Sequence, residues 1–198
     1  MYSFFKTVFY YFFTVIFRFK IIGTEHIPAH GGVIIAANHI SLWDPPVLGA
    51  ACMRSIHFMA KEELFAIPGL KWIITKLKAF PVRRGAADRT AIRHAINLLK
   101  KGEILGVFPE GTRSTTGELG KPEAGIAMIA LKAGVPIVPA CIIGTNRLFK
   151  DGCMFPQFII KFGKPIMIKE DKNDKEMMEK ISITIMQEIS CLLKGGER

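Results

Sequence analysis

Val33-Ile34-Ile35-Ala36-Ala37-Asn38-His39-Ile40-Ser41-Leu42-Trp43-Asp44-Pro45-Pro46 changes character twice within fourteen residues. Its first five residues are apolar without interruption, as in a strand with both faces covered. The Gly31-Gly32 turn before them sets the strand start at about Gly32. A polar loop opens at Asn38. Pro45 and Pro46 then begin a short helix to Ala51, because proline is tolerated in the first helical turn. A buried strand feeding a loop and a helix is one unit of an α/β fold, and the rest of the chain repeats the pattern.

Ile21–Thr24, His57–Met59, Glu103–Phe108, Val138–Ile143, Phe158–Phe162 and Ile166–Ile168 read as further strands. Lys61–Leu77 reads as one or two helices broken at Pro68-Gly69. Asp88–Lys101 reads as a helix with Ile92, Ala95, Ile96 and Leu99 on one face, Asp88 as its cap and Gly102 at its end. Gly125–Ala133 is a helix closed by Gly134, and a last helix starts at about Asp174. The expectation is a single α/β domain at residues 21–198, with a mixed, mostly parallel sheet flanked by helices. At 198 residues the chain fits one such core, and it shows no repeats and no low-complexity linker.

In open α/β sheets, ligands bind beyond the carboxyl ends of the strands. Two polar loops emerge there: Asn38–Asp44, and Pro109–Ser114 after the strand ending at Phe108. A third stretch, Pro81-Val82-Arg83-Arg84-Gly85, follows the apolar pair Ala79-Phe80. His39 can take a proton from a hydroxyl near neutral pH, and a carboxylate on its other ring nitrogen would fix the tautomer. Asp44 reaches it only if the loop bends. The competing reading makes Asp44 the cap of the following helix and His39 a polar strand end. No G-x-S-x-G occurs, so a base at His39 would act on a substrate hydroxyl, not on an enzyme serine. Arg113 can grip phosphate through its fork while Gly111 lets backbone approach, and Glu110 either orients Arg113 or holds a hydroxyl. The competing reading is a turn with an internal Glu–Arg pair. No G-x-x-x-x-G-K-[ST] is present, which removes support for nucleotide hydrolysis.

The net charge is +10, and residues 61–101 carry +7 of it, with ten Lys or Arg against Glu62, Glu63 and Asp88. That suits an anionic membrane surface, phosphorylated substrates or an acidic protein. Nucleic acid is set aside, since no reading motif is present and the apolar N-terminus would go unexplained. The four cysteines lack metal-type spacing and read as buried free thiols of a reducing compartment, and Pro28 separates His26 from His30; no metal site is expected. Met1–Phe19 is rich in Phe, Tyr, Val and Ile, with Lys6, Arg18 and Lys20 at intervals. Its uncharged run, Thr7–Phe17, is eleven residues, about half of what crosses a bilayer core of roughly 30 Å. Residues 1–20 therefore read as an interfacial helix, with rings at headgroup depth and the three cations on anionic phosphates. The alternative is a helix packed on the protein's own core.

Four blocks in order resemble the glycerophospholipid acyltransferases, specifically the bacterial-type 1-acylglycerol-3-phosphate acyltransferases: NHISLWD (38–44), FPVRRG (80–85), FPEGTRS (108–114) and VPIVPA (135–140). The resemblance covers about Gly23 to Pro165. It implies a general base at His39 with Asp44 orienting and charging it, acting without a covalent acyl-enzyme. It implies that Arg84, Glu110, Gly111, Thr112 and Arg113 bind the glycerol-phosphate part of a lysophospholipid acceptor. Backbone N–H groups near Gly111 and the side chain of Lys61, which opens the run AKEEL, are candidate donors to the oxyanion. It further implies an acyl-CoA or acyl carrier protein thioester as co-substrate, no other cofactor, and a peripheral or monotopic place on the cytoplasmic face of the cell membrane.

Overall fold

The computed structural model describes residues 1–83, 88–123, 125–149, 153–168 and 175–195. Seven strands form one sheet in the order β1-β7-β6-β2-β5-β3-β4. They are β1 (Lys20–Ile22), β2 (Val33–Ala37), β3 (Ile56–Lys61), β4 (Ala79–Val82), β5 (Ile104–Val107), β6 (Ile137–Ile143) and β7 (Ile159–Phe162). All neighbouring pairs are parallel except β6 with β7. The helices are α1 (Tyr2–Phe17), α2 (Asp44–Ala51), α3 (Leu70–Lys76), α4 (Arg89–Lys100), α5 (Gly125–Ala133) and α6 (Lys175–Leu193).

β2 explains the layering. Its five side chains are all buried. Val33, Ile35 and Ala37 pack into one core with α1 and α2, while Ile34 and Ala36 join α4, α5 and α6 in the other. Period-two alternation thus sends an unbroken apolar run into two separate cores. On the predicted face of α4 Ala95 and Leu99 are buried and Ile92 and Ile96 half-buried, Ala91 joins the buried set, and Asp88 accepts from the amides of Thr90 and Ala91 at 3.1 and 3.0 Å. The amides of Ala91 and Arg83, with that of Thr90, hold the Asp88 carboxyl below its ordinary value.

α1 packs on the protein's own core, the second of the two alternatives, and also presents an outward apolar stripe. Phe13 and Phe17 are buried against Phe158, which Phe17 stacks at 4.2 Å, and α1 lies along α2. Each buried Phe contributes about 2–3 kcal/mol, so α1 is integral to the core. Phe4, Val8, Tyr11 and Val15 are exposed on the opposite side, about 180° away at 100° per residue. Among the described residues no helix is long and apolar enough to cross a membrane. Lys6 donates to Met53 O at 2.8 Å and Arg18 to Phe155 O at 3.3 Å, so both cations carry internal bonds, in place of the purely headgroup role expected of them.

Other expectations need correction. Residues 79–82 form a strand, which the short run around Pro81 concealed, and Ile166 makes only an isolated bridge with Ile137 where a strand was expected. Cys52 and Cys141 are buried, and burial pushes their thiols up to about 12 and about 11; Cys153 is exposed, against expectation. Asp174 lies outside the described residues.

His57 on β3 is the one buried side-chain nitrogen or oxygen without a hydrogen-bond partner among the described residues. Glu103 Oε2 is 3.6 Å from its Nε2, too far for a hydrogen bond. Burial, then the charge of Lys78, lowers its pKa below the ordinary 6.5. The unfolded chain therefore binds more protons than the fold below that value, and stability falls as pH drops from about 6.5 toward the folded pKa. The urea midpoint is expected to fall between pH 7.5 and 5.5, and to fall less in His57→Gln. An equal fall in both proteins would remove His57 from the acid response.

Candidate active site

Parallel pairing of β6, β2, β5, β3 and β4 puts their carboxyl ends on one rim. Thr145 follows β6, His39 follows β2, Glu110–Arg113 follow β5, Lys61 closes β3 and Arg83 follows β4. The rim runs from a hydroxyl and an imidazole to three cations, with about 4.8 Å between neighbouring strands.

His39 and Asp44 are brought together. His39 Nδ1 lies 2.8 Å from Asp44 Oδ2. A carboxylate only accepts, so the Nδ1–H donates to it, and in the neutral imidazole the lone pair then lies on Nε2. Asp44 is fully buried and His39 is 8% exposed. The bend that joins them is the turn at 41–43, and Asp44 itself holds it. The amides of Ile40 and Ser41 donate to Asp44 Oδ2 at 2.7 Å each, and Thr145 Oγ1 donates to Oδ1 at 2.6 Å. Three donors thus converge on Oδ2 and one reaches Oδ1.

The cap reading of Asp44 is corrected here. α2 starts at Asp44, preceded by Trp43, and no side chain caps it. Pro45 and Pro46 have no N–H to offer and the Val47 amide donates to Trp43 O at 2.9 Å, so the carboxylate turns back to the loop amides instead.

The imidazole has a second support. Its ring stacks on Phe108 at 4.0 Å with planes 17° apart, and Phe108 is followed by Phe58 at 6.3 Å. Gly106 makes room, because a Cβ there would run into the Phe58 ring. Asn38 pins the loop to β6 by a pair of bonds, Nδ2 to Ile142 O at 3.0 Å and Ile142 N to Oδ1 at 2.7 Å.

Glu110 does not pair with Arg113. It is buried, with the amide of His39 donating to Oε1 and that of Gly120 to Oε2, both at 2.9 Å. It ties the two loops together, as does the Ser114 amide donating to His39 O at 2.8 Å. The internal Glu–Arg pair is not formed. Gly111 has φ 66° and its Cβ would meet Glu123, so glycine is required there. Its own N–H is committed to Phe108 O at 3.0 Å, which rules it out as an oxyanion donor in this arrangement. Thr112 and Arg113 are exposed on the rim. Lys61 is exposed and pairs with Glu63 at 3.1 Å, and Arg83 pairs with Glu62 at 2.9 Å. Arg84 lies outside the described residues.

Sequence reading gave no role to Thr145, Phe108 or Asn38. The signal for Thr145 was available, since it follows the strand Val138–Ile143 and so belongs on the same rim. Among the described residues no group of three His, Cys, Asp or Glu is placed to hold a metal.

The acyltransferase family model matches residues 18–143, which include both rim loops. A 1-acyl-sn-glycerol-3-phosphate acyltransferase of Bacillus subtilis (strain 168) is 39% identical over 139 residues, 68% of this chain and 69% of that one. The chain belongs to the 1-acyl-sn-glycerol-3-phosphate acyltransferase family. The fold agrees: the crystal structure of the 1-acyl-sn-glycerophosphate (LPA) acyltransferase PlsC from Thermotoga maritima superposes with a TM-score of 0.79 at 32% identity, covering 100% of this chain and 81% of that one. A lyso-ornithine lipid O-acyltransferase of Pseudomonas aeruginosa is 38% identical over 108 residues, 54% of this acyltransferase chain and 41% of that protein.

Proposed function

We propose that the protein moves a fatty acyl group from an acyl thioester to the sn-2 hydroxyl of lysophosphatidic acid, giving phosphatidic acid, with His39 as general base. The observation that carries this reading is the bond between His39 Nδ1 and Asp44 Oδ2, which leaves Nε2 as a proton acceptor on the rim. Nε2 takes the hydroxyl proton as the oxygen attacks the thioester carbon. Asp44 steadies the imidazolium that forms. The tetrahedral intermediate collapses with cleavage of the C–S bond, and the proton passes from Nε2 to the leaving thiolate. The products are an ester and a free thiol. No acyl-enzyme is needed, and no cofactor beyond the thioester co-substrate, acyl-CoA or acyl carrier protein.

Rim order supports one orientation of the acceptor. The cations Arg113, Lys61 and Arg83 stand successively further from His39 toward β4, so the phosphate lies on that side. Arg113 grips the phosphate, with Glu110 holding its loop against His39; the motif FPVRRG makes Arg84 a further candidate for phosphate binding. Lys61 and the backbone amides of Thr112 and Arg113 are the candidate oxyanion donors. Residues 1–20 act as the membrane-associating segment of a catalytic domain that runs from 21 to 198. The outward stripe of α1 lies in the cytoplasmic face of an anionic membrane, where acceptor and product reside.

The test is acyl transfer by the purified protein in mixed micelles, with acyl-CoA and acyl carrier protein donors compared. Arg113→Ala is expected to raise the lysophosphatidic acid KM about tenfold or more with a smaller change in kcat. An unchanged KM with normal turnover would take phosphate recognition away from Arg113. The similarity to a lyso-ornithine lipid acyltransferase supports a second acceptor. Lyso-ornithine lipid, which has no phosphate, belongs in the same assay; its use in preference to lysophosphatidic acid would replace the first reading.

A further inference from the structure

α3 is short and would bury little by itself, yet it carries large apolar side chains into solvent. Trp72 is 53% exposed and Ile73 41%, and Ile67, just before the helix, is 50% exposed. Exposed apolar residues scattered singly need no explanation, but a contiguous patch does. This patch is contiguous with α1. The rings of Phe4 and Phe5 meet at 5.8 Å, and Phe5 meets Trp72 edge-on at 6.0 Å. Lys78, just past α3, reaches back over the Tyr2 ring at 5.4 Å. The apolar surface thus continues from the outer stripe of α1 onto α3. Lys71 is exposed within α3, and Lys76 is half-buried. Trp, Ile and Lys together suit the headgroup level of an anionic leaflet.

We propose that α3 is a second membrane contact, which together with α1 sets the orientation of the protein on the leaflet. It rests on the reading of α1 as the bilayer-facing helix. A single helix lying flat in an interface is free to roll about its own axis. A second contact on its flank stops that roll. α3 is the right element for this, because it runs directly into β4, which is followed by Arg83. Seating Trp72 and Ile73 in the leaflet fixes the height of Arg83 above the headgroups. The rim of the sheet then faces the membrane from which the acceptor comes.

The chain has two tryptophans, so Trp43→Phe leaves Trp72 as the sole reporter. Vesicles of mixed anionic and zwitterionic phospholipid, with bromine on the acyl chains, are added to the full-length variant. Trp72 emission is expected to shift to the blue, to lose about half its intensity to bromine, and to become several-fold less sensitive to iodide. Emission that stays iodide-sensitive and unquenched on vesicles that do sediment with the protein would overturn the proposal. A second arm uses the double variant Trp72→Gln, Ile73→Gln. Acylation of lysophosphatidic acid in vesicles is expected to drop about tenfold, while acylation in detergent micelles changes less than twofold. Equal losses in both would mean that α3 acts through folding or the active site, which overturns a membrane role. The fluorescence result does not depend on turnover, so a protein that fails to acylate lysophosphatidic acid at all would defeat the functional reading without deciding this one.

Discussion

His39→Ala is expected to lower kcat/KM for acyl transfer by about a thousandfold or more, at unchanged acceptor binding and with the fold retained. General base catalysis is commonly worth 10²–10⁴-fold, each factor of ten being about 1.4 kcal/mol of barrier. His26 and His57 are not placed to substitute: His26 Nδ1 bonds Phe162 O at 2.8 Å on the β7 side, and His57 pairs its strand with the amino-terminal part of β5, away from the rim. The structural cost is smaller. Removing the ring forfeits its stacking on Phe108 and one bond to Asp44, about 1–3 kcal/mol together, against a typical domain stability of 5–15 kcal/mol. Asp44 would keep the amides of Ile40 and Ser41 and the Thr145 hydroxyl, so the turn persists. Circular dichroism and Tm separate the two effects, and His39→Gln serves as the control that retains a polar side chain. Turnover near wild type in His39→Ala would end the general-base assignment.

The fold could be read from the sequence where burial was two-sided. Val33–Ala37 is apolar throughout because the sheet is covered on both faces, and such runs announce themselves. β4 was missed because it is an edge strand of four residues with an exposed Pro81, which carries neither alternation nor an apolar run. The pairing of His39 with Asp44 was foreseen, but the means were not. Two prolines were taken to let Asp44 cap α2, whereas the carboxylate closes the preceding turn on itself. Glu110 shows the limit more sharply. Three residues from Arg113 in an exposed loop, it reads as a partner for that arginine. It instead bonds the amide of His39, 71 positions away, and only the adjacency of β2 and β5 makes this possible. Phe108 is illegible for the same reason: its stacking on His39 arises from the adjacency of β2 and β5, which local pattern does not encode. α1 reads as either a membrane helix or a core helix because its composition is apolar all round; the structure shows its core stripe, Phe13 and Phe17, and leaves a second apolar stripe exposed half a turn away.

Asp44 separates charge from architecture, and two substitutions are expected to part company. In Asp44→Ala, the N–H of His39, two loop amides and the Thr145 hydroxyl all lose their acceptor inside a fully buried site. Emptying such a site costs about 3–5 kcal/mol, enough to lower Tm by roughly 10 °C in a domain of this size. Asp44→Asn keeps nearly all of the geometry. Its amide oxygen can take the place of Oδ2, accepting from His39 and the amides of Ile40 and Ser41. Its NH₂ then occupies the place of Oδ1, where the Thr145 hydroxyl can rotate and accept. What is lost is the negative charge that steadies the imidazolium. Tm should therefore fall by only a few degrees, while kcat drops about a hundredfold or more. The two variants would thus lose activity for different reasons, one with its loop and one without its charge. Wild-type turnover in a stable Asp44→Asn protein would make Asp44 a staple of the 38–44 turn and nothing else. In that case the imidazolium would have to draw its stabilisation from elsewhere, and Glu110, whose Oε1 accepts from the His39 amide at 2.9 Å, is a carboxylate that remains beside it.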